Sequence, residues 1–332
     1  MILSPLALRR HGVLGINARN ANYVQRYNPR HLYPLVDDKF LSKTLARDHG
    51  LPAPELLGRV STEAEANHWQ TLIGDRTEFV LKPTGGSGGH GILVICGRRD
   101  GGFVKPSGAV LRAEEIRRQL SNIITGLHSL GGHPGDALFE ARVHPLRAFA
   151  DYSAGGVPDI RVIVFQGYPV MAMLRLSTSA SDGKANLHQG AVGAGIDLAS
   201  GRAVRGVCRD RPLAQHPDSG APLAGLALPG WQNLLQMAAR SYEITGLGYL
   251  GVDLVIDEHL GPLLLEWNAR PGLSIQLANG EGLLPRLRAV EARVRHRRRP
   301  EPPADRVAWA CGSFARPPQF PAAQEKSPQP GL

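Results

Sequence analysis

The stretch GVDLVIDEHLGPLLLEWNARPG, residues 251–272, contains two apolar runs on either side of a polar turn at about 258–261. An antiparallel hairpin centred on this turn places Asp253 opposite Glu266. Because strand side chains alternate between faces, Asn268 shares the face of Glu266. The other face is apolar, and its predicted pairs are Val252 with Trp267, Leu254 with Leu265 and Ile256 with Leu263. The pattern predicts a hairpin with one buried face and one acidic face.

The acidic face of this hairpin holds two carboxylates in a directly opposed position, where like charges repel. A divalent cation would reverse that repulsion, since Asp253, Glu266 and Asn268 supply the hard oxygen ligands that magnesium prefers. The alternative is a solvated face on which both carboxylates only increase solubility. The sequence therefore predicts a metal site or a polar surface at this hairpin.

A glycine-rich loop, TGGSGGHG at residues 84–91, lies between the predicted strands EFVLKP and GILVIC. Successive backbone N–H groups in such a loop can surround phosphate oxygens, and Lys82 lies just upstream at the end of the first strand. No Gly-Lys-Ser/Thr follows the glycines, so this is not a Walker A loop. The alternatives are a phosphate-binding loop and a flexible hairpin.

Two further segments hold candidate cations and amides. Lys39 lies in LVDDKFLSKTL, and Lys184 and Asn186 lie in a polar segment that begins near Arg175. Taken alone, each of these residues is typical of an ordinary exposed surface.

The predicted elements are mixed strands and helices, with hairpins at 251–272 and about Gln166–Gly167, which favours an α+β architecture of two lobes. The net charge of +9 is concentrated toward the Pro-rich end, where residues 291–332 carry eight Lys or Arg and four Asp or Glu. This composition predicts a disordered basic tail, either solvated or in contact with an anionic partner. Three widely spaced cysteines and the absence of a long apolar run lead us to expect a cytoplasmic protein without a membrane partner.

The order of these motifs resembles the ATP-grasp superfamily, and within it the alpha-L-glutamate ligase-like proteins related to the enzyme that adds glutamate to a ribosomal protein. The resemblance covers about residues 35–280 and rests on six segments in family order: DDKFLSK, FVLKPTGGSGGHG, LFEARV, DIRVIVF, KANLHQG and VDLV…LLLEWNARPG. It implies an ATP-grasp fold, with two α+β lobes gripping ATP between them and a reduced N-terminal segment. The expected divisions are 1–34, a first lobe at 35–137, a second lobe at 138–296 and the tail at 297–332.

The resemblance also implies a role for each matching residue. Lys39 and Lys82 would hold the α- and β-phosphates of ATP, and the loop would close over the β- and γ-phosphates. Phe139 to Val143 is similar to the strand hinge that meets adenine, and Arg175 is similar to the arginine that stabilises the transferred phosphoryl group. Arg161, from the DIR motif, would pack or pair near the nucleotide, and the alternative is a structural ion pair. The nucleotide-binding set is Lys39, Lys82, Gly85, Gly86, Ser87, Gly88, Gly89, Glu140, Asp159, Lys184 and Asn186, and the ligands for Mg²⁺ or Mn²⁺ are Asp253, Glu266 and Asn268.

The activity implied by the resemblance is ATP-dependent joining of a carboxylate to an amine through an acyl-phosphate, with glutamate or a similar amino acid as a substrate. The substrates would be small molecules or peptides. Two alternatives use the same fold: a kinase that phosphorylates a hydroxyl, and a nucleotide-binding protein without turnover. A nucleic-acid partner is not expected, because Trp309, Phe314 and Phe320 lie apart from the arginine run instead of alternating with it.

Overall fold

The computed structural model describes residues 5–85, 90–127, 133–181, 183–297 and 299–317. Its strands form two antiparallel sheets, each covered by helices and each with its own apolar core. None of the helices in these ranges is both long enough and apolar enough to cross a membrane.

The strands and helices follow one another along the chain in a mixed order. The strands are β1 Leu56–Val60, β2 Glu78–Pro83, β3 Leu93–Arg99, β4 Gly102–Val104, β5 Val110–Leu111, β6 Ala137–Glu140, β7 Asp159–Phe165, β8 Tyr168–Leu176, β9 Val192–Ile196, β10 Ala203–Cys208, β11 Arg211–Leu213, β12 Tyr249–Asp257 and β13 Gly261–Asn268. The helices are α1 Pro5–Arg10, α2 Ile16–Arg19, α3 Gln25–Tyr27, α4 Pro34–Asp37, α5 Lys39–Asp48, α6 Glu63–Ala66, α7 Gln70–Ile73, α8 Ala113–Ile124, α9 Trp231–Thr245, α10 Ile275–Asn279, α11 Leu284–Val294 and α12 Pro303–Ser313. A π-helical turn at Asn20–Val24 and four short 3-10 helices complete the regular structure of the described ranges.

The first sheet has the strand order β1-β6-β2-β3-β4-β5. Its core includes Trp69, which stacks on Phe139 with ring centroids 5.7 Å apart. Strand β6 lies between β1 and β2, although LFEARV was expected to open the second lobe. The expected boundary at residue 138 therefore falls inside a strand of the first sheet, since hydrogen bonding to β1 and β2 draws this segment back to the first lobe.

The second sheet has the order β11-β10-β9-β8-β7-β12-β13 and carries the larger core. Strands β7 and β8 form the predicted hairpin, and both Gln166 and Gly167 at its turn adopt positive φ. This geometry is typical of the two-residue turn that matches strand twist.

The β12–β13 hairpin confirms part of the predicted register. Asp253 pairs with Glu266 and Val252 with Trp267. A β-bulge then follows Asp253, so Leu254 pairs with Leu264 and Ile256 with Pro262. The predicted pairs Leu254–Leu265 and Ile256–Leu263 are wrong because Leu265 is the extra residue. The bulge lies on the turn side of the acidic pair and leaves that pair unchanged.

The N-terminal segment packs against the second sheet. Tyr23 is buried in the larger core, and the rings of Tyr23 and Tyr27 meet Phe165 edge-on at 5.5 and 4.9 Å. This segment therefore contributes to the core that supports β7 and β12.

The C-terminal helix α12 corrects the expectation of a disordered tail at 297–332. Val307 and Ala310 are buried in the larger core, and the guanidinium of Arg306 pairs with Glu243. The Pro-rich composition on both sides of this helix is typical of a disordered tail, which is why the sequence did not predict the helix. Residue 298 and residues 318–332 lie outside the described part of the chain.

The packing of α12 predicts a stability effect. Val307→Ala removes two buried methyl groups and should lower the free energy of unfolding by about 1.5 kcal/mol. Chemical denaturation of the full chain measures this, with exposed Ala308→Gln in the same helix as the control. Equal stability of wild type and Val307→Ala would show that α12 does not dock on the core.

Candidate functional site

A buried ion pair joins the ends of β2 and β6 in the first lobe. Lys82 and Glu140 lie diagonally across these strands, on the face turned away from the first lobe's core. The ammonium nitrogen of Lys82 lies 2.8 Å from Glu140 Oε2, and the two residues are 5% and 3% exposed. Lys82, which was expected to hold phosphate, therefore pairs with a buried carboxylate.

Two lysines from α5 surround the same pair. Asp38 caps this helix by accepting hydrogen bonds from the backbone N–H groups of Phe40 and Leu41. Lys43 is buried, donates to the backbone oxygen of Leu264 at 3.1 Å and lies 3.8 Å from Glu140 Oε1. Sequence reasoning missed Lys43, because nothing in its local pattern distinguishes it from a surface lysine of an amphipathic helix.

Lys39 connects the start of α5 to the start of the glycine-rich loop. Its backbone N–H donates to the oxygen of Thr84 at 3.0 Å, and its side-chain nitrogen lies 3.5 Å from the same oxygen. Gly85 is described, whereas Gly86, Ser87, Gly88 and Gly89 lie outside the described residues. The helix therefore fixes where the loop begins.

The four side chains form a cluster, the lysine cluster, made of Lys39, Lys43, Lys82 and Glu140. Burial lowers the pKa of Lys39, and it lowers the pKa of Lys43 to about 8, although the charge of Glu140 opposes both shifts. Burial also disfavours ionisation of Glu140, but the ammonium groups of Lys43 and Lys82 outweigh it and lower the carboxyl pKa. Three ammonium groups and one carboxylate leave the cluster with a net charge of +2, which an anion would stabilise.

A second cluster, the arginine–carboxylate cluster, lies on the second sheet and consists of Asp159, Arg161, Arg175 and Asp253. Asp253 is 1% exposed, and its Oδ1 accepts from Arg161 Nε at 2.7 Å. Its Oδ2 accepts from Arg175 Nη2 at 2.9 Å, and Arg175 also pairs with Asp159. The two arginines therefore relieve the repulsion that the sequence predicted at the acidic pair, and Arg161 makes the structural ion pair that was one of its two expected roles.

Burial and the neighbouring charges shift the pKa values of both carboxyl groups in this cluster. Burial raises the pKa of Asp159 to about 7, in spite of the adjacent Arg175 guanidinium. Burial also disfavours ionisation of Asp253, but Arg161 and Arg175 outweigh it and hold the pKa of that carboxyl below its ordinary value. Asp253 is thus ionised and engaged with both arginines.

Asn268 connects the two carboxylates of the hairpin. Its Nδ2 lies 3.2 Å from Asp253 Oδ2 and 3.3 Å from Glu266 Oε1. The structure therefore brings the three predicted metal ligands together. The oxygens of Asp253 already accept from arginines, whereas half-buried Glu266 keeps acceptor capacity. This donor set fits a divalent cation with Glu266 as its carboxylate ligand and the amide oxygen of Asn268 as a second.

Glu266 lies within electrostatic reach of both clusters. Its charge opposes the lowering of the Lys39 pKa by burial and contributes to the raised pKa of Arg175. The contact of Lys43 with the Leu264 oxygen brings α5 against the same strand. The candidate site therefore lies where the lysine cluster faces the β12–β13 hairpin.

Two N-terminal residues hold this hairpin in place, and sequence reasoning missed both. The side-chain amide of Asn28 donates to the backbone oxygens of Tyr249 and Ala269, at 2.7 and 3.1 Å. Arg19 donates to the oxygen of Pro271 at 2.6 Å. These contacts fix the first residue of β12 and the segment just after Asn268, and their partners more than 200 residues away gave no local signal.

The remaining predicted residues have local contacts in the structure. Asn186 caps a short 3-10 helix by accepting from the backbone N–H of His188 at 3.0 Å, and the backbone of Lys184 donates to Ser181. Both lie in the segment that leaves β8 just after Arg175. In the expected adenine hinge, the backbone N–H of Ala141 donates to Glu55, and Glu140 points to the lysines. Nucleotide contacts at these positions stay predictions.

A family model described as sugar-transfer associated ATP-grasp matches residues 18–292 of this chain. No curated protein matches the sequence.

Several solved structures are similar to this chain at low identity. The ATP-grasp ligase PsnB complexed with minimal precursor is 15% identical with a TM-score of 0.45, and the match covers 80% of this chain and 63% of that chain. D-cycloserine synthetase DcsG is 17% identical with a TM-score of 0.47, covering 80% and 73%. The RimK domain protein ATP-grasp from Sphaerobacter thermophilus is 17% identical with a TM-score of 0.43, covering 79% and 69%. This chain therefore spans less than two thirds of the PsnB ligase.

Burial of Lys43 predicts a particular pH dependence of stability. Its folded-state pKa of about 8 lies below the ordinary lysine value of 10.5, so between these values the native state binds fewer protons than the unfolded state. Stability contributed by this residue therefore rises as pH increases through that window.

Denaturant unfolding at pH 7 and pH 9.5 checks the sign. Wild type should gain unfolding free energy relative to Lys43→Met between these pH values, while Lys105→Met, a lysine change elsewhere in the first lobe, should follow wild type. If the unfolding free energy of wild type relative to Lys43→Met stayed constant or fell between these pH values, the burial of a charged Lys43 would be contradicted.

Proposed function

Because this chain belongs to the sugar-transfer associated ATP-grasp family, we propose that it is an ATP-dependent ligase that joins a carboxylate to an amine. The family match confirms the expected superfamily and its α+β fold. In the proposed reaction the γ-phosphoryl group of ATP passes to a carboxylate, an amine displaces phosphate from the acyl-phosphate, and the products are an amide, ADP and phosphate.

The net +2 charge of the lysine cluster, in which Lys43, Lys82 and Glu140 are buried and Lys39 is half-buried, carries this proposal. Excess positive charge is costly to remove from water, and a polyphosphate would add negative charge beside these lysines. Lys82 at the end of β2 and Lys39 at the start of α5 lie beside the first residues of the glycine-rich loop. We therefore assign the phosphates of ATP to Lys39 and Lys82, with the loop closing over them.

Glu266 and Asn268 would hold the magnesium ion that accompanies the nucleotide, and manganese is an alternative with the same ligand preference. Bound there, the ion would neutralise charge on the transferred phosphoryl group. Asp253 was expected as a direct ligand, but its contacts support a different role, because its carboxylate holds Arg161 and Arg175 in place.

Arg175 is the residue we assign to the reacting group. A carboxylate resists attack by amines, and phosphorylation gives it a good leaving group, so the protein mainly has to position anions and neutralise their charge. The guanidinium of Arg175 is fixed by Asp159 and Asp253, which supports a role in stabilising the acyl-phosphate and the tetrahedral species that follows. The resemblance adds glutamate or a similar amino acid as the expected substrate.

The assignment of Glu266 predicts a loss of metal-dependent turnover. Glu266→Gln removes one charge with little change in shape and should reduce magnesium-dependent ATP turnover by at least about a hundredfold. Exposed Glu114→Gln, on α8, is the matched control and should turn over ATP at the wild-type rate. Wild-type turnover by Glu266→Gln at ordinary magnesium concentrations would remove Glu266 from the metal site.

The reaction itself is tested with an oxygen-labelled carboxylate substrate. After a panel of amino acids and short peptides identifies a pair that releases ADP, the labelled acid is supplied with ATP and the amine. A ligase that uses an acyl-phosphate must transfer one labelled oxygen to inorganic phosphate, and mass spectrometry detects it.

Two outcomes would contradict the proposed reaction. Unlabelled phosphate formed together with a confirmed amide would exclude the acyl-phosphate. A stable phosphorylated alcohol would identify a kinase instead.

A further inference from the structure

We infer that Lys43 is a positioning residue for nucleotide binding: its ammonium group offsets the charge of Glu140, so that the positive charges of Lys39 and Lys82 attract phosphate more strongly. This inference rests on the proposed function, because it concerns the same phosphate site. It gives a role to Lys43, which lies in the DDKFLSK segment but was not among the predicted site residues.

Glu140 lies between two of the lysines of the cluster. Its carboxylate is buried, and Lys82 binds only one of its oxygens, at 2.8 Å. The other oxygen, Oε1, has no hydrogen-bond partner among the described residues. Lys43 is the cation on that side, with its nitrogen 3.8 Å away. Glu140 therefore has one cation on each oxygen.

Without Lys43, the net charge of the lysine cluster would be lower. Glu140 would then cancel one of the two charges of Lys39 and Lys82, and the cluster would fall from +2 to +1. An anion at the site would meet half of the attraction, although no group that touches it had changed. A buried carboxylate is costly to leave without a cation, so Glu140 would also hold Lys82 more tightly.

Lys43 is anchored on the second sheet. It donates to the backbone oxygen of Leu264 on β13 at 3.1 Å, and it is 4% exposed. This contact holds the ammonium group between β13 and Glu140. Lys43 thus acts on the anion through Glu140.

The test is a double-mutant cycle on the full chain, because Lys43→Met and Glu140→Gln have opposite effects on the charge of the cluster. Their combination restores the net charge of +2. Calorimetry at pH 7 measures the affinity for ATP and for inorganic tripolyphosphate, and Lys105→Met is the control for the loss of one lysine. Circular dichroism checks that each variant is folded.

Lys43→Met should weaken binding of both probes about tenfold, as expected for loss of one nearby charge. Adding Glu140→Gln to that variant should recover most of the loss, whereas Lys105→Met should bind like wild type. Should Lys43→Met fail to fold, Glu140→Gln alone remains informative and should bind tripolyphosphate at least as tightly as wild type.

Three results would overturn the inference. Unchanged affinity in Lys43→Met shows that its charge does not reach the phosphate site. A double variant as weak as Lys43→Met shows that Lys43 touches phosphate directly or only anchors α5. Weaker tripolyphosphate binding by Glu140→Gln shows that Glu140 does not compete for the lysines. Failure of wild type to bind either probe refutes the proposed function itself, a result that differs from all three.

Discussion

The candidate site depends on the burial of one carboxylate, Glu140, among three lysines. The pairing of β2 with β6 puts Lys82 beside it, and the capped start of α5 adds Lys39 and Lys43. A cluster with more positive than negative charge is unfavourable away from water unless an anion completes it. This constraint links the two lobes, because Lys43 also reaches the backbone of β13. The fold thereby places an excess of positive charge where the glycine-rich loop begins.

Whereas the lysine cluster has an excess of positive charge, the β12–β13 hairpin has two carboxylates on one face. Arg161 and Arg175 reach Asp253 from the two strands that follow β12 across the sheet, so the acidic face is stable without a cation. Glu266 accepts fewer hydrogen bonds than Asp253 within the described residues, and its charge acts on both Arg175 and Lys39. Because Leu265 is an extra residue opposite the Asp253–Leu254 step, Leu264 of β13 packs in the core while Glu266 and Asn268 remain beside Asp253. The charge of Glu266 thus acts on both clusters.

Sequence reasoning succeeded where structure is set by neighbours along the chain. Alternation around the 258–261 turn predicted the pairing of Asp253 with Glu266. It failed where a partner lies far away. Asn28 and Arg19 bind residues more than 200 positions later, and Lys43 meets Glu140 only after two strands and a helix are assembled. Helix α12 was missed because prolines around it resemble a disordered tail. The bulge was missed because alternation fixes a register only while the strand stays regular.

The central claim is that the lysine cluster binds the phosphates of ATP. Calorimetric titration of wild type with ATP, ADP and AMP at pH 7 in the presence of magnesium tests it most directly, since the three ligands share adenosine and differ in phosphate charge. We expect ATP and ADP to bind at least about tenfold more tightly than AMP, because only they extend a β-phosphate between Lys39 and Lys82. Equal affinity for all three nucleotides, or no binding of ATP, would contradict it.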